Sequence, residues 1–78
     1  MHHSVWVDIA TVRVNPKKLR KLSQAKILRY AHDYETGNHF PPIVVEDCGG
    51  FYTVRDGRHR LQAQLMIGCE SIEVSLYN

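Results

Sequence analysis

The sequence predicts an α+β protein with a compact single-layer mixed sheet and two main helices, in the order β-α-β-β-α-β. Short β-prone runs lie at both ends and in the middle of the chain, and two stretches with helical periodicity separate them. The length of 78 residues fits one small domain, spanning residues 1–78. An apolar fraction of 44% is typical of a chain that folds around a core.

The N-terminal part is predicted to be β-structure that ends at a proline. Residues 5–9 and 11–14 are rich in β-prone side chains, so they form one strand or two short ones. Pro16 has no backbone N–H and therefore stops the strand ladder. Trp6, the only tryptophan, is expected to pack in the core or at the sheet edge, with an interface role as the alternative.

The first main helix has recognisable ends. Ser23 is a good N-cap, and Leu22 can form a hydrophobic staple with Ile27 across it. Gly37 fits the position just past the helix end, where a left-handed backbone is common. The apolar residues with helical spacing, which predict one buried face, are Ile27, Leu28, Ala31 and Tyr34.

The second half predicts a hairpin, a helix and a last strand. Residues 43–46 and 51–55 are β-prone runs joined by a turn that contains two glycines. A helix over residues 58–67 follows, and residues 72–76 form the closing strand. Apolar side chains surround most of that helix, which predicts burial on more than one side; they are Leu61, Ala63, Leu65, Met66 and Ile67.

One junction between a strand and a helix points to chemistry. The third β-prone run leads into Asp56 and Gly57, and a helix begins directly after them. A helix start exposes unpaired N–H groups and the positive end of the helix dipole. Three cationic or potentially cationic side chains at this start predict an anion site, with phosphate as the best-fitting anion. The predicted site residues are Asp56, Gly57, Arg58, His59 and Arg60.

Each of these residues also has a purely structural interpretation. Asp56 either caps the helix or acts as a base or Mg²⁺ ligand, which makes it the one weak catalytic candidate. Arg58, His59 and Arg60 diverge by about 100° per residue, so at most two can face one phosphate group. The alternative is that Arg60 pairs with an acid and His59 forms an internal hydrogen bond.

Charge and cysteine content restrict the other functional classes. The net charge is only +2, but one stretch holds seven cations and no acid, which predicts either a nucleic-acid contact or a solvated surface. Two distant cysteines give neither a disulfide framework nor a zinc site, and no metal site is expected. No leader or apolar span is evident, so we expect a cytoplasmic protein with no membrane partner. The seven cations are Arg13, Lys17, Lys18, Arg20, Lys21, Lys26 and Arg29.

The order of elements and the junction motif together resemble the ParB/sulfiredoxin superfamily, in particular the ParB-like N-terminal domain. The sequence DGRHR, with its flanking strand and helix, is the specific part of this resemblance. Weaker matching pieces lie at residues 12–16 and 42–45, the last strand at residues 72–74 also fits, and the resemblance as a whole covers most of the chain. The resemblance implies a ParB/sulfiredoxin-like fold with nucleotide phosphates held at the junction.

The resemblance also indicates which residues would hold the phosphate and which reactions of the superfamily are not expected here. Gly57, His59 and Arg60 match the shared core of the GERR, DGHHR and GCHR segments of this superfamily, which places His59 and Arg60 on the phosphate. The sulfiredoxin nucleophile falls at Arg58, so that reaction is not expected. Residues 15–20 hold no acid where the related serine kinase needs a base. The implied cofactor is a nucleoside triphosphate, CTP or ATP, with Mg²⁺.

Three functional hypotheses remain open from the sequence. The first is a stand-alone ParB-like domain that binds a nucleotide or other phosphate ligand and is linked to DNA transactions, with weak nucleotide or phosphodiester hydrolysis as its possible activity. The second is a DNA-binding or nuclease-like accessory protein that grips a backbone phosphate at the same site. The third is a non-enzymatic module of a mobile element that binds a protein partner and keeps the fold without the chemistry.

Overall fold

A computed structural model describes residues 3–19 and 21–77 of the chain. The described residues form five strands, three helices and one short 3-10 turn at Ile9–Thr11. In chain order the regular elements are β1 (Ser4–Asp8), β2 (Val12–Arg13), α1 (Pro16–Leu19), α2 (Gln24–Glu35), β3 (Ile43–Asp47), β4 (Tyr52–Asp56), α3 (Arg58–Met66) and β5 (Ser71–Leu76).

The five strands form a single mixed sheet, as the sequence predicted, and their order in the sheet is β1-β5-β3-β4-β2. The β1–β5 and β3–β4 pairs are antiparallel, whereas β5–β3 and β4–β2 are parallel. The predicted hairpin is the β3–β4 pair, with Val45 opposite Val54. Strand β3 lies at the centre of the sheet, and β4 beside it leads directly into α3.

The N-terminal β-structure is divided into β1 and β2, which is the second of the two predicted alternatives. The beginning of the chain differs from the prediction in one way, because a short helix, α1, follows these strands. Pro16 does follow the end of the strands, but it also opens this helix. Asn15 accepts a hydrogen bond from the Lys17 N–H at 3.0 Å through its side-chain oxygen, which is the geometry of a cap before a first-position proline.

Both main helices begin and end close to where their signals predicted. The Ser23 side chain accepts from the Lys26 N–H at 3.3 Å and caps α2. Gly37 has a left-handed φ of 89°, and its N–H donates to the Tyr34 carbonyl at 3.1 Å. Gly68 ends α3 in the same way, with a φ of 80°. These glycines close each helix because a residue with a Cβ is strained there.

The core lies between the sheet and the two main helices. Leu61 of α3 packs against the sheet, whereas Ala63 packs against α2, so α3 is buried on two sides as predicted. The apolar residues that predicted this burial are not all buried, however, because Leu65 and Met66 are exposed. The buried sheet-side cluster consists of Ile9, Val12, Ile43, Val45, Val54, Leu61, Ile72 and Val74.

Two further packing predictions need correction. Leu28 was placed on the buried face of α2 but is 58% exposed, and only Ile27 and Ala31 of that face are fully buried. Trp6 was expected in the core or at the sheet edge. It lies on edge strand β1, and its 67% exposure excludes the core position. Within the described residues, no helix has the length and apolar character needed to cross a bilayer.

Candidate phosphate-binding site

The candidate site begins at the glycine that joins β4 to α3. Gly57 has φ 106° and ψ 26°, a left-handed conformation that residues with a Cβ rarely adopt. A Cβ built on it would lie 2.8 Å from Nη2 of Arg60 and 3.2 Å from Cγ1 of Ile43. The backbone therefore turns tightly against two side chains, and glycine is the residue that fits.

The first turn of α3 has no side-chain cap. Gly57 occupies the N-cap position, and its carbonyl accepts the first helical bond from Leu61 at 2.9 Å. The interpretation of Asp56 as the cap is therefore wrong, because Asp56 lies one residue too early and bonds no N–H of this turn. The N–H groups at the start of a helix have no acceptor within the helix, so they need water or a ligand.

An open cavity of about 280 Å³ adjoins this first turn. Five of its lining residues are the predicted site residues, Asp56, Gly57, Arg58, His59 and Arg60. The sixth is Tyr30 of α2, which was not among the predicted site residues. We refer to this space as the Gly57 cavity. Tyr30 directly precedes the buried Ala31 and gives no signal of its own, because only the packing of α2 on α3 brings it here.

Arg60 is held at the edge of the Gly57 cavity by two contacts. Its Nη1 donates to the Pro41 carbonyl at 3.2 Å, and its Nη2 lies 3.5 Å from Oδ2 of Asp56. The side chain of Arg60 is 13% exposed, whereas that of Asp56 is 79% exposed. The pairing with an acid that the sequence left open is thus present, but an exposed carboxylate contributes little to such a pair.

Arg58 connects the start of α3 to the basic segment, which is the stretch at residues 13–29 that holds the seven cations. Its Nη1 donates to the carbonyl of Lys18 in α1 at 3.2 Å. A guanidinium carries five N–H donors in a planar fork, so one bond to a carbonyl leaves others for a ligand. Arg58 therefore both orders the α1 segment and keeps positive charge at the cavity.

His59 makes the internal hydrogen bond that the sequence analysis considered as the alternative. Its Nε2 accepts from the backbone N–H of Ser23, the N-cap of α2, at 3.0 Å. An imidazole nitrogen that accepts is unprotonated, so the ring is neutral and carries its proton on Nδ1. Burial lowers the pKa of His59, and the charges of Lys26 and Arg58 lower it further. His59 is thus a neutral donor and not a cation.

This bond predicts a pH-dependent stability. The unfolded chain binds a proton at His59 near the ordinary pKa of 6.5, and the folded chain binds it only at lower pH. The contribution of His59 to the free energy of unfolding should therefore be largest above about pH 6.5, and it should decrease as the pH falls below that value. Urea midpoints measured across this range should show the decrease in the native protein.

The matched variants are His59→Gln and His32→Gln. A glutamine oxygen can accept from Ser23 without titrating, so the first variant should have a flatter pH dependence of the midpoint. His32 is an exposed residue of α2, and its replacement should leave the dependence unchanged. Equal slopes for all three proteins would contradict the role given to the Ser23–His59 bond.

Of the described residues predicted to contact nucleic acid, Lys18 and Lys26 lie near residues that line the Gly57 cavity. Lys18 meets Arg58 through its carbonyl, and Lys26 is close enough to lower the pKa of His59. The Arg13 guanidinium instead lies 4.6 Å above the ring of Phe51. Arg20 lies outside the described residues. The remaining side chains of this set, Lys17, Lys21 and Arg29, are exposed.

The site offers few carboxylates as ligands for a metal ion. Among the residues that line the Gly57 cavity, Asp56 alone carries a carboxylate. Residues 3–19 and 21–77 contain no cluster of three or more histidine, cysteine or acidic side chains that could hold a metal ion. A divalent cation at Asp56 would need most of its ligands from water and from ligand phosphates, as is usual for Mg²⁺.

The comparisons with known proteins identify the fold. No protein-family model matches the chain, and no curated protein matches it. Among solved structures, sulfiredoxin from Arabidopsis thaliana superposes with a TM-score of 0.83 at 21% identity, covering 97% of this chain and 85% of that one. A C-terminally truncated ParB from Caulobacter crescentus, complexed with CTP-γ-S, gives 0.82 at 19% identity.

A free serine kinase in complex with AMP gives a TM-score of 0.77 at 14% identity. This chain is covered to 97% by the ParB match and to 96% by the kinase match, but it spans only 44% and 31% of those two chains. At these identities the likeness concerns the fold, which agrees with the element order and the sheet described above. The chain therefore has the ParB/sulfiredoxin-like fold that its DGRHR junction and element order predicted.

Proposed function

We propose that this protein binds a nucleotide or another phosphate ligand in the Gly57 cavity. The observation that carries the proposal is the uncapped first turn of α3, which opens into a cavity of about 280 Å³ flanked by Arg58 and Arg60. Backbone N–H groups and the helix dipole favour an anion there, and two guanidinium groups add full positive charge.

The side chains at the cavity fit a phosphate better than a simple carboxylate. A phosphate presents several acceptor oxygens in different directions, and the donors here come from the helix start and from two arginines that diverge around it. The neutral ring of His59 adds an uncharged N–H donor at Nδ1. Two proteins of the same fold are complexed with nucleotides, CTP-γ-S in the ParB and AMP in the free serine kinase, which supports the choice of ligand.

Calorimetry with CTP, ATP and GTP, each with and without Mg²⁺, tests this proposal. We expect heat with at least one nucleotide, and a matched nucleoside without phosphates should give none at the same concentration. The base preference follows from the ranking of the three nucleotides. Absence of heat with all three at millimolar concentration would overturn the proposal.

Asp56 provides a prediction about the metal. Its carboxylate lies 3.5 Å from Nη2 of Arg60 and lines the cavity, so it repels a bare triphosphate and competes for that guanidinium. Asp56→Asn should therefore tighten metal-free binding several-fold, since one nearby charge of like sign is removed. If Mg²⁺ bridges Asp56 and the phosphates, the same variant should weaken binding when Mg²⁺ is present.

Calorimetry of Asp56→Asn with and without Mg²⁺ separates these effects, and Asp33→Asn on α2 is the control. If Asp56→Asn tightens nucleotide binding without Mg²⁺ and weakens it with Mg²⁺, Asp56 is a metal ligand. Any slow release of inorganic phosphate should then depend on Asp56. Unchanged affinity in both conditions would place Asp56 outside the ligand contacts.

A second candidate function is contact with nucleic acid through the exposed basic residues. The two ion pairs of the described residues join Arg55 to Glu46 and Arg60 to Asp56, so the described cations of the basic segment are not neutralised by pairing. Because Arg58 ties α1 to the Gly57 cavity, a backbone phosphate could occupy the cavity while neighbouring phosphates meet the lysines.

Gel shifts with a short DNA duplex at several salt concentrations test this second function. Contacts to several phosphates release counterions, so the logarithm of the binding constant should fall linearly with the logarithm of salt, by about 0.9 per phosphate. Replacing both Lys17 and Lys21 by glutamine should reduce that slope by about two. No shift at low salt, or a shift insensitive to salt, would contradict it.

A further inference from the structure

The outer edge of strand β1 offers a surface for another strand. β1 lies at one end of the sheet and, in the described part of the chain, pairs with β5 alone. We propose that this edge pairs with the same edge of a second copy of the chain, antiparallel and with Trp6 at the two-fold axis, to give a dimer with one continuous sheet. This inference does not depend on the proposed function.

One backbone hydrogen bond shows which residues of β1 face outward. The N–H of Ile9, directly after β1, donates to the Glu70 carbonyl at 2.9 Å and continues the antiparallel register of β1 with β5. In such a pair, residues that bond the neighbouring strand alternate with residues that do not. Val5 and Val7 therefore bond β5, and the residues that alternate with them direct their N–H and C=O groups away from the sheet. The outward residues are Ser4, Trp6 and Asp8.

This edge lacks the features by which proteins protect a free strand. Charged side chains, proline and short length normally keep an edge strand from pairing with another chain. The other edge strand, β2, is two residues long, and Pro16 follows it closely. β1 is five residues long, contains neither proline nor lysine, and has Asp8 at its end as its only charged residue. β1 is therefore the edge that a further strand can join.

Both faces of β1 present apolar side chains at this edge. Val5 lies opposite the fully buried Val74 and so belongs to the core face of the sheet, yet it is 45% exposed. Trp6 lies on the opposite face, because successive side chains of a strand alternate, and it is 67% exposed. A strand added to the edge would cover both side chains, and removal of apolar surface from water stabilises such a pairing.

A second copy fits this edge because β1 is complementary to itself. About an axis at Trp6, every outward residue of β1 meets an outward residue of the second copy: Trp6 meets Trp6, and Asp8 meets Ser4. The Trp6 residues then exchange both backbone hydrogen bonds, and their rings lie side by side. On the core face, Val5 packs beside Val7 of the second copy, and such cross-strand pairs stabilise a sheet. An axis at Val5 or at Val7 would leave one outward residue of β1 without a partner from β1 of the second copy.

The charges near this edge are compatible with a second copy. Asp8 meets a serine and not its own carboxylate, because the antiparallel pairing places the two Asp8 residues at opposite ends. Glu73 lies opposite Trp6 on β5, so the two Glu73 residues of a dimer are three strand spacings apart. That distance is about 14 Å, which exceeds the Debye length of about 8 Å at physiological salt. Like charges therefore do not oppose the dimer.

Sedimentation of the full chain from micromolar to millimolar concentration tests the dimer. One strand from each copy makes a small interface, so we expect a dissociation constant in the micromolar range. Trp6→Lys places two like charges at the axis and should weaken the dimer by at least about tenfold. Leu28→Lys is the matched control, since Leu28 is 58% exposed on α2, and it should leave the constant unchanged. A native protein that stays monomeric at millimolar concentration would overturn the inference and leave the edge to a strand of another protein, and equal weakening by both variants would also overturn it.

Oxidative cross-linking tests the register of the dimer. A mixture of Val5→Cys and Val7→Cys should form a disulfide between the two variants, because these positions face each other across the axis. Val5→Cys alone should form far less, since two copies of residue 5 are offset by two positions. Peptide mass spectrometry separates this bond from any at the native Cys48 and Cys69. Cross-linking of Val5→Cys with itself in preference to the mixture would overturn the inference.

Amide hydrogen exchange gives an independent readout on the native protein. The Trp6 N–H faces solvent in the monomer and is bonded in the dimer, so its exchange should slow as the concentration rises. The Val7 N–H is bonded to β5 in both states and should already be protected at micromolar concentration. Exchange of the Trp6 N–H that does not depend on concentration would overturn the inference.

Discussion

Replacement of Gly57 by alanine is expected to reduce the free energy of unfolding by about 2–4 kcal/mol, a large share of what a domain of this size possesses. Two causes combine. A residue with a Cβ is strained at φ 106°, and the new Cβ would lie 2.8 Å from Nη2 of Arg60 and 3.2 Å from Cγ1 of Ile43. Arg60 can move only by giving up its bonds to Pro41 and Asp56, and Ile43 is fully buried.

Gly50→Ala is the matched control. Gly50 has φ 102°, nearly the same as Gly57, but a Cβ there meets no atom within 4 Å. Both variants share the backbone strain, so the difference between their urea midpoints isolates the contact with Arg60 and Ile43. Equal destabilisation by the two substitutions would contradict the close packing of Gly57 against these side chains.

Removal of the Arg60 guanidinium is expected to weaken binding of a nucleoside triphosphate by about ten- to a hundredfold. A charge-assisted hydrogen bond contributes about 1.5–3 kcal/mol, and each 1.4 kcal/mol is a factor of ten in affinity. Arg60→Met keeps most of the apolar stem and loses the charge. Calorimetry with the best nucleotide measures the effect, and a urea midpoint determined on the same sample shows whether the variant is folded.

Arg55→Met is the control for this variant. Arg55 pairs with Glu46 at 3.2 Å and lies over the ring of Tyr77, away from the Gly57 cavity. The same substitution there should leave triphosphate affinity within a factor of two of the native value. Equal loss in both variants would indicate a general effect of net charge, and no loss in Arg60→Met would remove Arg60 from the ligand contacts.

Local signals in the sequence predicted the element boundaries well. The Ser23 cap and the Gly37 end both lie where their side-chain chemistry and backbone freedom require them. The hairpin between β3 and β4 followed from two β-prone runs around a glycine turn. The α1 helix was missed because Pro16 fits both the end of a strand and the first position of a helix, and no long-range information selects between them.

Burial was predicted less well because it depends on which faces meet. Leu28, Leu65 and Met66 have the spacing of core residues, yet all three are more than two-fifths exposed. The helices α2 and α3 pack through the small residues Ala31 and Ala63, which bring the backbones together and leave the larger side chains outside. Helical periodicity identifies an apolar face, but it does not determine how wide a strip of that face the neighbouring element covers.

In the candidate site too, local features were predicted and contacts between distant parts of the chain were not. The sequence identified residues 56–60 because they are consecutive and carry an unusual charge at a helix start. It did not predict that Tyr30 joins them, nor that Asp56 leaves the helix uncapped. The Ser23–His59 bond spans 36 positions in the chain, so no local pattern could favour it over the phosphate contact that the family resemblance implied.

A ¹⁵N NMR titration with ATP, and in parallel with inorganic triphosphate, tests the central claim that the start of α3 is an anion site. We predict that both ligands shift the backbone amides of Gly57, Arg58, His59 and Arg60 first and most strongly, since these N–H groups belong to the proposed phosphate site at the helix start. Shifts confined to the exposed lysines before α2, or no shift at millimolar ligand, would contradict the account.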